Sequence, residues 1–257
     1  FNFGFARTSY APTDMKLESS RVNVVIKDFE FEERTSASYY NPKNWEQFQD
    51  AFRWIDEPTN TWAFSAEKKN NVFYLNVSHP KFLKVAYQDK LVQGTVDGVA
   101  VNQVMPINER FDGYNDQPGQ MHLTRFENTH KQMDWQIGYG RKFVVFDGKK
   151  SGQLSYTTQA FAGISSGQPV SIYKKEGQYW EYDEHVDPMR ILGANASVGH
   201  TVEYKRGRVG VYAAQKLTLS HFKQGFMDGT AEFDMKYVNP LTFGVTFDIA
   251  TIRARKP

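Results

Sequence analysis

The feature that most constrains the fold is the strict alternation of residue types in segment 241–249. Large apolar residues occupy its odd positions, and Thr, Gly or Asp occupies its even positions. Successive side chains of a β-strand point to opposite faces of the sheet, so the alternation predicts a strand with one apolar and one polar face. Residues 133–140 repeat the pattern, with Met, Trp, Ile and Tyr against Asp, Gln and two Gly. The sequence therefore predicts an all-β protein.

Composition agrees with such strands and excludes several classes of protein. The 257 residues combine a mean hydropathy of −0.59 with 15% aromatic residues, and no segment approaches the roughly 20 apolar residues of a transmembrane helix. The chain has no cysteine, which excludes disulfides, thiol catalysis and thiolate metal sites. The formal net charge is only +2 and no basic block is present, so we expect no nucleic-acid partner.

Strand and connection lengths carry the next prediction. Alternating segments at 132–144, 152–165, 190–204 and 208–222 reach the roughly 9–11 residues that a tilted transmembrane strand needs. Short turns are predicted near 70–71, 147–150 and 205–207, whereas long connections are predicted at 34–60, 79–131 and 165–188. Within the second of these connections, Asp97-Gly98 predicts one local hairpin. Within the first long connection, Trp45, Phe48, Phe52 and Ile55 have helical spacing after Asn44 and predict a short amphipathic helix.

Taken together, these segments resemble Gram-negative outer-membrane β-barrel proteins as a class. The resemblance rests on segments 1–5, 133–139 and 241–249 and on the alternation of short and long connections. It implies a single domain over 1–257, folded as a closed antiparallel transmembrane β-barrel of about 8–12 strands. It also implies short periplasmic turns and extracellular loops at 34–60, 79–131 and 165–188. One departure is the tail at 252–257, where barrels of this class usually end on an aromatic residue.

The same resemblance implies a location in the bacterial outer membrane. Its partners would be outer-membrane lipid and lipopolysaccharide, and other envelope proteins through the extracellular loops. The expected work is structural, docking or small-solute passage, including a role as a subunit of a larger envelope complex, without enzymatic activity, cofactor or metal. A narrow barrel is largely filled by its own side chains, so a wide pore is not expected. The expected lumen-facing residues are Asp134, Gln136, Gly138, Thr242, Thr246 and Asp248.

Aromatic residues of the long connections are the candidate binding residues. They could stack on sugar rings or dock a partner, because aromatic residues are enriched in interfaces, or they could pack against one another. Both interpretations stay open from the sequence. The candidates are Tyr39, Tyr40, Trp45, Phe48, Phe52, Trp54, Tyr179 and Trp180.

Two alternatives remain beside the non-enzymatic barrel. The first is an outer-membrane barrel enzyme, a protease or lipid-modifying enzyme, in which Asp183 orients His185 to activate a water. An Asp-x-His pair is common by chance, and this one lies among other charged residues. Ser220 and His221 are adjacent on a predicted strand and therefore cannot pair with each other. The second alternative is a soluble β-sandwich or lipocalin-like binding protein.

Overall fold

The computed structural model describes residues 1–6, 8–33, 59–80, 82–85, 88–107, 123–148, 151–174, 182–186, 190–226 and 228–249. These residues form sixteen strands in one sheet, every strand pair is antiparallel, and they contain no helix. The predicted all-β class is thus confirmed, while the predicted helix at 44–55 lies outside the described residues. The strands are β1 Asn2–Ala6, β2 Ser9–Tyr10, β3 Thr13–Glu18, β4 Val22–Phe29, β5 Phe31–Glu33, β6 Thr59–Lys68, β7 Asn71–Ser78, β8 Phe82–Lys84, β9 Gln88–Val96, β10 Val99–Ile107, β11 Leu123–Gly148, β12 Gly152–Lys174, β13 Tyr182–Val186, β14 Arg190–Arg206, β15 Val209–Phe226 and β16 Gly229–Phe247.

Eight strands make up what we call the eight-strand circuit: β1, β6, β7, β11, β12, β14, β15 and β16. Each pairs with two others of the set, because β1 pairs with β6 on one side and with β16 on the other. The turn between β6 and β7 places Lys69 at a φ of 57°, and the turn between β14 and β15 places Gly207 at a φ of 65°. Both turns fall where the sequence predicted them, at the same end of their strands.

The predicted faces of β11 and β16 are largely confirmed. Asp134 and Gln136 are fully buried, and Thr242 and Thr246 are also buried, whereas the large apolar residues between them are exposed. Gly138 is half-buried on the same face, where a Cβ would collide with the Phe161 ring. Asp248 follows the end of β16 and is exposed, yet it lines the cavity inside the circuit that is described below. Alternation thus identified the inward face of both strands.

The remaining strands form a second region that the sequence did not predict. Sheet order continues from β16 through β3, β4 and β9 to β10, with β2, β5 and β8 alongside. We call these strands, with the adjoining ends of β15 and β16, the apolar-core region. Its core holds tightly packed aromatic and aliphatic side chains, among them Met15, Ile26, Phe29, Phe31, Phe82, Val92, Phe222 and Phe233.

The predicted connection at 79–131 is wrong in extent, because it contains β8, β9, β10 and the start of β11, whereas the hairpin predicted at Asp97-Gly98 is confirmed as the turn between β9 and β10. The reason lies in the burial pattern of β9, where only every fourth residue, Gln88, Val92 and Val96, is buried. Gly94 replaces the expected apolar residue at a φ of 140°, and a Cβ there would meet the Asn23 carbonyl oxygen. A close backbone contact has removed the alternation that marks a strand in sequence.

The other long connections are shorter than predicted. β12 continues to Lys174 and pairs with β13, so the predicted loop at 165–188 is mostly strand. The predicted loop at 34–60 lies outside the described residues except for its last two residues, which begin β6. At Pro240 the pairing of β16 with β15 contains a bulge: Ala214 pairs with Thr242 but Lys216 pairs with Asn239.

Candidate functional site

The two faces of β15 exchange polarity at one level of the strand. Up to Ser220, its buried face carries small polar residues such as Thr218, and its opposite face carries exposed apolar residues. From His221 onward the arrangement is largely reversed, because Phe222 and Phe226 are buried and Lys223 is exposed, although Gln224 between the two rings is also buried. The exposed apolar residues before the reversal are Val209, Val211, Leu217 and Leu219.

The neighbouring strand β16 also reverses, and its buried face is already apolar at Met235 and Tyr237, which pair with Ser220 and Thr218. Thr242 is buried and Phe243 exposed on the circuit side of Pro240, whereas Phe233 is buried and Asp234 exposed on the other side. The bulge at Pro240 shifts the buried positions from even to odd numbers, which keeps the same face of the sheet turned inward. Both strands therefore invert their inside and outside chemistry together.

The exposed side of the circuit forms a continuous apolar surface, which we call the apolar belt. All large exposed hydrophobic residues among the described positions lie on the eight strands or directly after β16, except Val99 and Val104 on β10. Monomeric proteins in water rarely expose contiguous apolar patches beyond a few hundred Å². The aromatic members of the belt are Trp62, Phe64, Phe73, Trp135, Tyr139, Phe143, Phe146, Tyr204, Phe243 and Phe247.

Inside the circuit, a cluster of hydrogen-bonded polar side chains surrounds Gln136. Its Oε1 accepts from Asn76 Nδ2 at 3.0 Å and from Lys216 Nζ at 3.2 Å. Its Nε2 donates to Asn195 Oδ1 at 2.8 Å and to Ser197 Oγ at 2.7 Å. One amide therefore uses its full hydrogen-bonding capacity and connects four strands, β7, β11, β14 and β15.

A carboxylate extends this polar cluster toward the apolar-core region. Asp134 is fully buried and accepts from Ser165 Oγ at 2.6 Å and from the hydroxyl of Tyr237. Ser165 Oγ in turn accepts from Asn195 Nδ2 at 3.0 Å, which joins the carboxylate to the Gln136 network. Asp134, Gln136 and their partners thus lie between the circuit interior and the apolar core. We call this network the polar cluster.

Between the polar cluster and the short turns lies a cavity of about 560 Å³. Its wall includes Lys142, whose Nζ lies 2.8 Å from Glu67 Oε2 and 4.0 Å from Glu203 Oε2. At the turn end, Lys205 pairs with Asp248, and both side chains are partly exposed. The cavity is therefore lined by ion pairs and opens where the short turns lie.

The deepest cation of the cavity is Lys216. Its Nζ contacts the Gln136 amide oxygen and lies 5.7 Å from the centroid of the Phe161 ring. Among the described residues, no carboxylate oxygen lies within 4.0 Å of this nitrogen. The Asp134 carboxylate acts on it only through space. Lys216 is thus unlike Lys142 and Lys205, each of which has a carboxylate in contact.

The first and last strands of the circuit meet over one tyrosine ring. Gly4 pairs with Gly244, and a Cβ on either would collide with the Tyr212 ring or its hydroxyl. Two facing glycines therefore provide the space in which the ring of Tyr212 lies. We call this contact the Gly4–Gly244 seam.

Most of the sequence-predicted site residues lie outside the described part of the chain. These are Tyr39, Tyr40, Trp45, Phe48, Phe52, Trp54, Tyr179 and Trp180. The backbones of Asp183 and His185 lie in β13, opposite Tyr173 and Ser171, which does not test catalysis. Ser220 and His221 point to opposite faces as predicted, and His221 Nδ1 lies 2.8 Å from Asp234 Oδ1 at the exposed surface.

Sequence reasoning did not single out Lys142, Lys216, Asn76 or Asn195. All four fall on the buried face of their strands, so extending the alternation along β7, β11, β14 and β15 would have found them. Within the described ranges, no group of three or more His, Asp or Glu side chains could hold a metal ion.

Comparison with known proteins finds no matching family model and no matching curated protein. The described residues include no helix long and apolar enough to cross a membrane. The features of the molecule that bear on its function are therefore the apolar belt, the polarity reversal, the polar cluster and the cavity.

Proposed function

We propose that the eight-strand circuit is a closed β-barrel that spans the bacterial outer membrane, with the apolar-core region standing outside the bilayer. The simultaneous polarity reversal on β15 and β16 carries this proposal. If water surrounded the circuit as well as the apolar-core region, the apolar belt would be exposed to water while polar side chains were buried inside the circuit. Lipid around the belt removes the conflict, because apolar side chains then face hydrocarbon and polar side chains face the interior.

The dimensions of the belt support a bilayer. On β15 the outer side is apolar from Val209 to Leu219 except for Gln215, a span of eleven residues, and a tilted strand crosses a bilayer in roughly 9–11 residues. Charged residues begin directly beyond it, with His221 and Lys223 on the same face. Closure of the eight strands would also leave no unpaired strand edge in the hydrocarbon layer.

The orientation follows from the connections. Outer-membrane barrels have short periplasmic turns and longer extracellular connections. In this orientation, the turns at 69–70 and 207–208 face the periplasm. The apolar-core region then faces the cell exterior, on the side where the chain forms additional strands.

Of the expected roles, docking or structural support fits better than solute passage. The polar cluster and the core around Phe82 and Phe222 lie in succession along the path from the cavity to the outside. Small eight-stranded barrels have interiors filled by side chains. The proposed role is therefore that of a membrane-anchored barrel that presents a packed β-region to outer-membrane lipid, lipopolysaccharide or another envelope protein. This role involves no enzymatic activity.

The test uses spin labels, since the chain has no cysteine that would compete for labelling. Single cysteines are placed at Val211 and Phe243 on the belt and at Lys223 and Asp234 beyond the reversal, and each protein is refolded into phospholipid vesicles. We expect labels on the belt to collide mainly with oxygen, which concentrates in lipid. Labels beyond the reversal should collide mainly with a water-soluble nickel complex.

Equal nickel accessibility at all four positions would contradict membrane insertion and favour the soluble sandwich. Planar-bilayer recording separates the roles within a barrel. The polar cluster and the apolar core close one end of the cavity and predict no steady conductance, whereas a stable open level would restore solute passage.

A further inference from the structure

We propose that the cavity inside the circuit is a binding site for one small organic anion, which enters from the short-turn end and is held by Lys216. The proposal goes beyond membrane anchoring and does not depend on it, because the cavity belongs to the folded chain in micelles as well as in a bilayer. The contacts around the cavity give the chemistry of the ligand.

The contacts of the three cavity lysines indicate where an anion would bind. Lys142 and Lys205 each contact a carboxylate, from Glu67 and Asp248 respectively. Lys216 contacts only the neutral oxygen of Gln136 and the face of Phe161. The Asp134 carboxylate acts on Lys216 only through space, and it already accepts hydrogen bonds from the Ser165 and Tyr237 hydroxyls. Lys216 is thus the lysine of this cavity that can still take an anionic oxygen into direct contact.

Removing Lys216 would leave the polar cluster largely satisfied. Gln136 Oε1 would keep its bond from Asn76, and Gln136 Nε2 would keep both of its acceptors. The burial of a lysine is costly in free energy and is not required by its neighbours here. A role toward a ligand therefore explains this side chain better than a role in holding the cluster together.

Size and wall chemistry indicate an organic body on the anion. A volume of about 560 Å³ lies within the roughly 300–1,000 Å³ of small-molecule sites. Aromatic rings contribute to the wall, and those of Tyr74 and Phe161 lie 5.5 Å apart. Thr246 also lines the cavity, and its buried hydroxyl has no hydrogen-bond partner. A compact carboxylate or phosphate with an uncharged body matches these groups.

Access is possible from one end. The polar cluster and the apolar core close the side toward the apolar-core region. At the other end, the Lys205 and Asp248 side chains are 21% and 42% exposed. A ligand that enters past this ion pair meets Lys216 at the far end of the cavity.

The experiment uses para-fluorobenzoate as the probe and para-fluorobenzamide as its uncharged analogue. Full-length protein is refolded into micelles of a non-ionic detergent, and fluorine NMR line widths report binding against protein-free micelles. We expect benzoate to bind and benzamide to bind at least about tenfold more weakly, because a charge-assisted contact is lost. Lys216→Met should weaken benzoate binding to the same extent.

The matched control is Lys223→Met, which removes an exposed lysine from the same strand and should leave binding unchanged. Because Lys216→Met could fail to fold, Ala214→Phe provides a second variant that fills the cavity and keeps the lysine. Native folding of each variant is checked by heat-dependent gel migration.

Three results would overturn the proposal: no benzoate binding by the wild type, equal binding of benzoate and benzamide, or unchanged binding in a folded Lys216→Met or Ala214→Phe variant. None of them bears on membrane insertion, which the spin labels measure separately. Failure of the spin-label test with intact benzoate binding would leave a soluble anion-binding protein.

Discussion

The eight-strand circuit and the apolar-core region share strands β15 and β16, yet they bury opposite chemistry. In the apolar-core region, rings of Phe82, Phe222 and Phe233 pack with centroids 5.4–6.0 Å apart, and charged side chains lie outside. In the circuit, amides and hydroxyls fill the interior and the aromatic rings lie outside. The difference teaches that strand propensity does not decide which face is buried. Under the proposed membrane location, the surrounding solvent decides it, with lipid around the circuit and water around the apolar-core region.

The two regions also differ in what specifies their interior. Core packing in the apolar-core region is non-directional, so it depends on volume and shape. The polar cluster depends on matched donors and acceptors, since each unpaired buried group costs free energy. Substitutions of the two kinds should therefore fail for different reasons.

The largest effect should come from the apolar core. Phe82→Ala removes a fully buried ring whose centroid lies 5.0 Å from that of Phe31 and 5.6 Å from that of Phe222. We expect a loss of about 3–5 kcal/mol in the free energy of unfolding, measured by urea titration in micelles. The matched control is Phe243→Ala on the belt, with less than half that loss. Equal losses would break the distinction between the regions.

The next effect tests the belt itself. Ala213 lies on the exposed face near the middle of the belt and pairs with Phe243. Ala213→Arg should destabilise the protein in vesicles by about 2–4 kcal/mol, the cost of a cation near the bilayer midplane. Lys223→Arg, beyond the reversal on the same strand, should be neutral. If Ala213→Arg unfolds at the same urea concentration as the wild type, the belt does not face lipid.

A smaller loss in the free energy of unfolding should follow from a substitution in the polar cluster. Gln136→Leu keeps the volume but leaves Asn76 Nδ2, Asn195 Oδ1 and Lys216 Nζ without their hydrogen-bond partner, so we expect a loss of about 1–3 kcal/mol. The control is Gln93→Leu, which removes one exposed bond to Asn102. Its midpoint in urea should be almost unchanged, and a neutral Gln136→Leu would show that the interior tolerates apolar filling.

The smallest effect concerns pH and the surface of the apolar-core region. The hydrogen bond from Lys27 Nζ, 2.5 Å away, lowers the pKa of Asp14 below its ordinary value. A carboxylate with a lowered folded-state pKa stabilises the fold above its unfolded-state pKa, and this contribution disappears as pH falls through the folded-state value. Asp14→Asn should remove that acid-side dependence.

Both side chains of the pair are largely exposed, so the loss at neutral pH should stay below about 1 kcal/mol. Urea midpoints across an acid titration measure it. Lys27→Met should give the same change, and the double variant should add nothing further. Additive losses would show that the two groups act independently.

The circuit was easier to predict from sequence than the apolar-core region. Apolar and polar residues alternate along strands such as β12 and β16, because one face of each strand belongs to the apolar belt. This alternation can be recognised in a single sequence. β9 has no such requirement, and Gly94 replaces a side chain with a backbone contact. The strand pairs β4–β9 and β16–β3 join distant segments, so nothing local specified them.

The cavity was only partly predictable for a related reason. Alternation places Thr242, Gln136 and Asp134 on the buried face, but the distance between lysine and carboxylate depends on the stagger of neighbouring strands. That stagger distinguishes Lys142, which lies 2.8 Å from Glu67, from Lys216, which has no carboxylate in contact. The register between neighbouring strands, which the sequence does not show, therefore determines which cavity lysine has no carboxylate in contact.

The Gly4–Gly244 seam has a consequence for the order of folding. At this seam, the Phe1 nitrogen donates to the Phe247 carbonyl oxygen at 2.9 Å across 246 positions of the chain. Contacts so distant in sequence form late, because the entropy of closing the intervening loop opposes them. A nascent chain without β16 has two bare strand edges, which hydrocarbon cannot hydrate. If the circuit spans a membrane as proposed, synthesis must therefore reach β16 before insertion can be completed.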